Sequence, residues 1–197
     1  MKAKVGKIFI SIGILLIAAA IILSVVTILQ AYRAEKNAQA LLAQMESQIG
    51  AMDCYYIPDY VLNPDMEMPT VEIDGELCIG ILEIPSIERK LPVISDWEYD
   101  KLRIAPCRYS GSAYKGDLII AAHNYDAHFG QLTSLDLYDK VLFTDASGNK
   151  FSYEVVSIEV LEPEDVEEMK AGEWDLTLFT CDSSITKRIA VRCMHTR

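Results

Sequence analysis

Basic residues are scarce in this 197-residue chain, where 18 Lys and Arg stand against 29 Asp and Glu for a net charge of −11. That balance excludes a nucleic-acid partner, because phosphate binding requires a basic face. Histidine is scarcer still, so imidazole chemistry has only His123, His128 and His195 to draw on. The five cysteines, Cys54, Cys78, Cys107, Cys181 and Cys193, form no C-x-x-C pair. This excludes the common zinc and dithiol redox patterns. An odd number leaves at least one thiol free, and a domain of this size can bury a core without disulfides. Four of them are read as core thiols or one optional bridge, and Cys181 is considered separately. Internal repeats and low-complexity runs are absent, and the length leaves room for one domain plus an appendage.

Apolar residues are plentiful but unevenly placed. Residues 8–29 (IFISIGILLIAAAIILSVVTIL) hold no charge over 22 positions. As a helix this run spans roughly 33 Å, enough for the roughly 30 Å hydrocarbon core of a bilayer. Lys2, Lys4 and Lys7 precede it, so the positive-inside rule puts the N-terminus in the cytoplasm and residues 31–197 outside. A cleaved signal peptide would carry a shorter apolar region with its small-residue site close behind. The nearest A-x-A triplet here, Ala38-Gln39-Ala40, lies about ten residues past the run. Beyond residue 40 the chain has 13 basic and 28 acidic residues, a net of −15. The expected layout is a cytoplasmic tip and transmembrane anchor (1–30), a helical stalk (31–52), a linker (53–70) and a β-rich domain (71–197).

The stalk lacks proline and is rich in Ala, Gln, Glu and Leu, with Leu41, Leu42, Met45 and Ile49 forming a stripe for the domain or a partner. The linker carries Pro58, Pro64 and Pro69. Seven apolar or alternating runs follow: CIGILEI, LPVI, DLIIAAH, KVLFT, FSYEVVSIEVL, DLTLFTC and RIAVRC. Turn-forming clusters separate them, which predicts a closed or nearly closed β-barrel. Asp145–Asn149 reads as a hairpin turn, and only 102–104 and 164–171 look capable of a helical turn or two.

If DLTLFTC and RIAVRC form a hairpin around residues 182–187, simple register sets Cys181 opposite Arg188, on one face of the sheet. A free thiol ionises near pH 8.5, so a nucleophilic cysteine needs a base or a positive neighbour. Arginine stabilises negative charge but cannot accept a proton, so a histidine is wanted. His123 ends an apolar strand and opens the loop NYDAHFGQL, a position where rigid scaffolds present catalytic groups. His128 lies inside that loop and is less firmly held, while His195 is three residues from the end of the chain and is expected to fray. Asp182 reads as a turn residue and Arg192 as an exposed barrel arginine.

These residues resemble the sortases, cell-surface cysteine transpeptidases of mainly Gram-positive bacteria. The resemblance rests on Thr177-Leu178-Phe179-Thr180-Cys181 (T-L-x-T-C), an Arg opening the next apolar strand, and a strand ending A-A-His-Asn some sixty residues earlier. Ile84-Pro85-Ser86-Ile87 and Phe129-Gly130-Gln131-Leu132 add to it, over about residues 76–193. It implies an eight-stranded barrel with His123, Cys181 and Arg188 as the catalytic set and no required cofactor. The implied partners are a C-terminal sorting-signal peptide of secreted proteins and a peptidoglycan or pilin amine acceptor. A surface thiol protease and a catalytically silent, membrane-tethered binding module are the alternatives. In some sortases acids near the groove bind calcium. The acidic stretch 162–175 is instead read as a helix start, with Pro163 at its first position. The stalk and the A-A-His-Asn strand resemble the class B type, although the 161–175 connection is short for the helical insertion usual there.

Overall fold

The computed structural model describes residues 2–49, 57–182, 184 and 186–196, with side chains from residue 12 onward. Cys54 lies outside the described residues. One helix, α1 (Lys2–Gln48), runs without a break through the apolar segment and the stalk. Its large apolar side chains from Ile12 to Leu29 are exposed, and the helix is long and apolar enough to cross a membrane. Ser24 and Thr27 donate their hydroxyls back to the carbonyls of Ala20 and Ser24, both at 2.9 Å, so these two side chains are bonded within the helix. Further along, Ala34, Ala38, Leu41 and Met45 recur at helical spacing and are all buried. The buried stripe therefore begins earlier than Leu41, because alanine lets the helix backbone approach the domain closely. Leu42 and Ile49 pack at its margin.

Nine strands follow: β1 (Val71–Ile73), β2 (Glu76–Ile84), β3 (Arg89–Ile94), β4 (Cys107–Ser110), β5 (Leu118–Ala121), β6 (Lys140–Asp145), β7 (Lys150–Leu161), β8 (Leu176–Cys181) and β9 (Arg188–His195). They pair in the order β1-β2-β3-β4-β5-β8-β9-β7-β6, and β6 returns to pair with β2, so eight strands close a barrel. β1 is an extra strand on the first half of β2. β1 and β4, the two strands that carry no alternating signal, have three and four residues, and β5 is as short as β4. Two further helical pieces are short: α2 (Asp59–Leu62) and α3 (Val166–Lys170).

Closure of the barrel depends on Gly80, where β2 meets β6. A Cβ there would stand 2.3 Å from the Thr144 carbonyl oxygen and 2.6 Å from the Phe143 ring. Gly80→Ala must therefore part the seam, and a loss on the order of 2 kcal/mol is expected. Thermal unfolding of the detergent-solubilised chain measures it, and an unchanged midpoint would show that the seam is not under this constraint.

Two cores result. Inside the barrel, Leu118, Ile120, Ala122, Leu176, Leu178 and Val191 pack with Phe129, Phe143 and Cys193. On the outer face a second core gathers Cys78, Ile81, Ile94, Leu102, Ala105, Cys107 and Ala121 under Leu41 and Met45 of α1. The four described cysteines are free thiols. Burial pushes the thiols of Cys78, Cys107 and Cys193 up to about 12, so they behave as apolar filling.

Candidate active site

β5 and β8 run parallel, with Leu118 to Ala121 in register with Leu176 to Phe179. Alternation then turns Leu176 and Leu178 inward and leaves Thr177, Phe179 and Cys181 on the outer face. Past the last paired residue the same offset persists. The Thr180 hydroxyl donates to the Ala122 carbonyl at 2.9 Å, and the Asn124 side-chain amide donates to the Asp182 carbonyl at 3.0 Å. His123 and Cys181 lie between these two ties, side by side on adjacent strands. Across the hairpin, Cys181 pairs with Arg188, and the guanidinium Nη1 donates to Cys181 Sγ at 3.3 Å.

The loop between β8 and β9 is organised by Asp182. Its carboxylate accepts the backbone N–H of Thr186 at 2.8 Å, that of Lys187 at 3.1 Å, and the Ser184 hydroxyl. Chief among these, the Ser184 hydrogen bond holds the carboxyl below its usual range. Asp182 is thus a turn residue that fixes the start of β9, and with it Arg188.

His123, Cys181 and Arg188 line one groove of about 800 Å³, counted to its open mouth. Aromatic rings form one wall: Trp97 stands edge-on to Tyr109 at 5.8 Å, and Tyr109 edge-on to Phe179 at 5.2 Å. Val166 and Met169 of α3 form the other. Tyr99 approaches His123 edge-on at 6.0 Å, and Tyr125 lies 4.8 Å from the same ring. Among the described residues His123 Nε2 is buried without a hydrogen-bond partner. Burial, and secondarily the Arg103 charge, push its pKa below the usual 6.5. A half-buried imidazole beside a thiol, itself beside a fixed guanidinium, can exchange protons with a bound group and stabilise an oxyanion. Sequence reasoning missed Trp97 and Tyr99, whose one signal is a pair of aromatics within the acidic run Asp96–Asp100.

Several expectations need correction. His128 is fully buried rather than loosely held, because its loop folds back: the N–H groups of His128 and Gly130 both donate to the Tyr125 carbonyl at 2.9 Å. Among the described residues neither ring nitrogen has a hydrogen-bond partner, although the carbonyls of Ala34 and Ile104 lie close enough to favour a proton there. Burial outweighs them and lowers the pKa to about 4, with the His123 charge adding to it. His195 does not fray: it pairs with Tyr153, and its N–H donates to Asp175 at 2.6 Å. Arg192 is only 1% exposed. Pro163 precedes α3 in a turn, and Asp165 occupies the N-cap position. Among the described residues no three His, Cys, Asp or Glu side chains form a group that could hold a metal ion.

Comparison with known proteins bears on the family and the fold. A family model described as the sortase domain matches residues 82–196. Sortase A of Bacillus anthracis is 30% identical over 127 residues, covering 61% of this chain and 60% of that protein. Sortase D of Bacillus subtilis (strain 168) is 28% identical over 107 residues, covering 52% and 53%. The chain thus spans three fifths or less of the length of these curated relatives. Among solved structures, a sortase D5 transpeptidase of Clostridium perfringens superposes with a TM-score of 0.62 at 17% identity, covering 82% of this chain and 99% of that one. Sortase A of Corynebacterium diphtheriae gives 0.56 at 21%, covering 86% and 92%. With the family model spanning more than half of its length and the barrel shared with these structures, the chain belongs to the sortase family.

Proposed function

We propose that the chain is a membrane-anchored cysteine transpeptidase that joins secreted proteins to an amine at the cell surface. One observation carries this reading: Cys181 within 3.3 Å of the Arg188 guanidinium, in register with His123, on the floor of an open groove. Cys181 gives its thiol proton to His123, and Sγ attacks a backbone carbonyl within a sorting motif near the C-terminus of the secreted substrate. As the tetrahedral adduct collapses, the C–N bond breaks and His123 delivers a proton to the departing amine. Arg188 holds the substrate carbonyl and its developing negative charge. The thioester is then resolved by a peptidoglycan or pilin amine, which gives its proton to His123 as the new amide forms.

The three N-terminal lysines put the start of α1 in the cytoplasm and the barrel outside. Ala34, the first buried residue of the stripe, follows the apolar run by roughly 7 Å of helix. The barrel therefore sits close to the membrane surface. The β7–β8 connection contains only the five-residue α3, which weighs against a class B-like assignment.

Intact-mass spectrometry of the detergent-solubilised chain, incubated with a panel of sorting-motif peptides, tests the reading. α1 is retained because Leu41 and Met45 cover the outer core. A thioester adduct at Cys181 that added amines discharge to amide product is expected. Discharge to water alone would make the enzyme a protease, and no adduct with any peptide would leave a silent binding module.

A further inference from the structure

The largest fully buried side chain on the β8–β9 pair is a cation, Arg192. It lies on the same face as Arg188, directly across from Thr177. A buried guanidinium persists only when its donors are satisfied, and here the partners identify its task. Nε donates to Glu159 at 2.9 Å, and Nη1 to the Thr177 hydroxyl at 3.1 Å. The other two bonds go to α3: Nη1 donates to the Met169 carbonyl at 2.7 Å and Nη2 to the Glu168 carbonyl at 2.9 Å. α3 has five residues, too few to be stable alone, and helix geometry leaves its last carbonyls short of donors, the Glu168 carbonyl taking one from the Ala171 N–H at 3.2 Å. A fixed positive fork beneath that negative end satisfies them in the geometry that only arginine offers.

We propose that Arg192 is a positioning residue that sets the α3 wall of the substrate groove, an inference that rests on the transpeptidase reading. From α3, Val166 and Met169 face the groove. Lys170 reaches across to the opposite wall, its Nζ 5.7 Å from the Tyr109 ring centroid. α3 is thus a crosspiece held from below by Arg192 and tied across the groove by Lys170. The two threonines of T-L-x-T-C divide the work: Thr180 binds the cysteine strand to the histidine strand, and Thr177 seats Arg192. Releasing α3 changes how the peptide is gripped, while Cys181, Arg188 and His123 keep their mutual register.

The test compares wild type, Arg192→Met and Arg192→Lys in the full detergent-solubilised chain. Thr177→Val, which removes one acceptor, is the milder variant should either fail to fold. KM for the peptide is expected to rise about tenfold in Arg192→Met while kcat stays within about threefold, and Arg192→Lys should recover part of the loss. Amide hydrogen exchange over 166–171 is expected to accelerate at least about tenfold, with β8 unchanged. Alkylation of Cys181 by iodoacetamide should change less than about threefold. An unmoved KM overturns the proposal however fast α3 exchanges, as does unchanged exchange over α3, or kcat falling with KM constant. If wild type turns over no peptide, the transpeptidase reading fails. Exchange and alkylation then decide by themselves whether Arg192 holds α3.

Discussion

Cys181→Ala is expected to reduce acyl transfer to background, a loss of about 10⁴-fold or more, and Arg188→Met to lower kcat/KM by roughly 10²–10³-fold. The two losses have different causes. Without the thiol no thioester forms, and neither His123 nor Arg188 can replace the nucleophile. Methionine at 188 keeps most of the apolar stem but removes the donor now 3.3 Å from Sγ. The oxyanion would then develop in a groove walled by rings, with no charge to meet it. Arg188→Lys restores charge without the planar fork and should recover only part of the activity. The measurement is kcat/KM for peptide transfer to an amine, with thermal unfolding as a check on folding. Arg188→Met within threefold of wild type would make Arg188 a bystander.

The second large effect is on stability. Between pH 6.5 and about 4 the folded chain should lose roughly 3 kcal/mol through His128 alone. The sign follows from proton counting. His128 has a depressed pKa in the folded state, so between its folded and unfolded values the unfolded chain binds more protons. Stability therefore falls as pH falls. It is complete above 6.5, drains through the window and levels off below about 4. The cause is a ring enclosed under α1 beside Ala34, Ile104 and Tyr125, with the His123 charge also opposing a proton on it. Carboxylates titrate in the same range, so the readout is the difference between wild type and His128→Phe. Phenylalanine fills the site and takes no proton, so the variant should gain on wild type by about this amount between pH 7 and 4. A difference independent of pH would mean that His128 is not buried neutral.

Legibility follows sequence distance. The apolar run, seven of the nine strands and the Cys181–Arg188 pair could all be read from the chain. Each depends on local periodicity or on the register of a single hairpin. β1 and β4 could not be read, because strands of three and four residues without the apolar run of β5 owe their existence to the neighbours that pair with them. The depth of His128 was also hidden, since the helix that buries it lies about ninety residues earlier in the chain.

By itself the sequence determined an apolar helix with a basic start, an acidic β-rich body, and a cysteine with arginine as its cross-strand neighbour. Only the tertiary structure decided what stands around that pair. β5 and β8 are parallel strands whose pairing crosses 58 residues, and no local pattern specifies such a crossover. That pairing brings His123 beside Cys181. The barrel then turns Arg192 under α3, and lays Tyr99, Tyr109 and Met169 along the groove. Antiparallel neighbours joined by a short loop are constrained by the loop itself, whereas parallel neighbours and the helices packed over them are constrained only by the core they share.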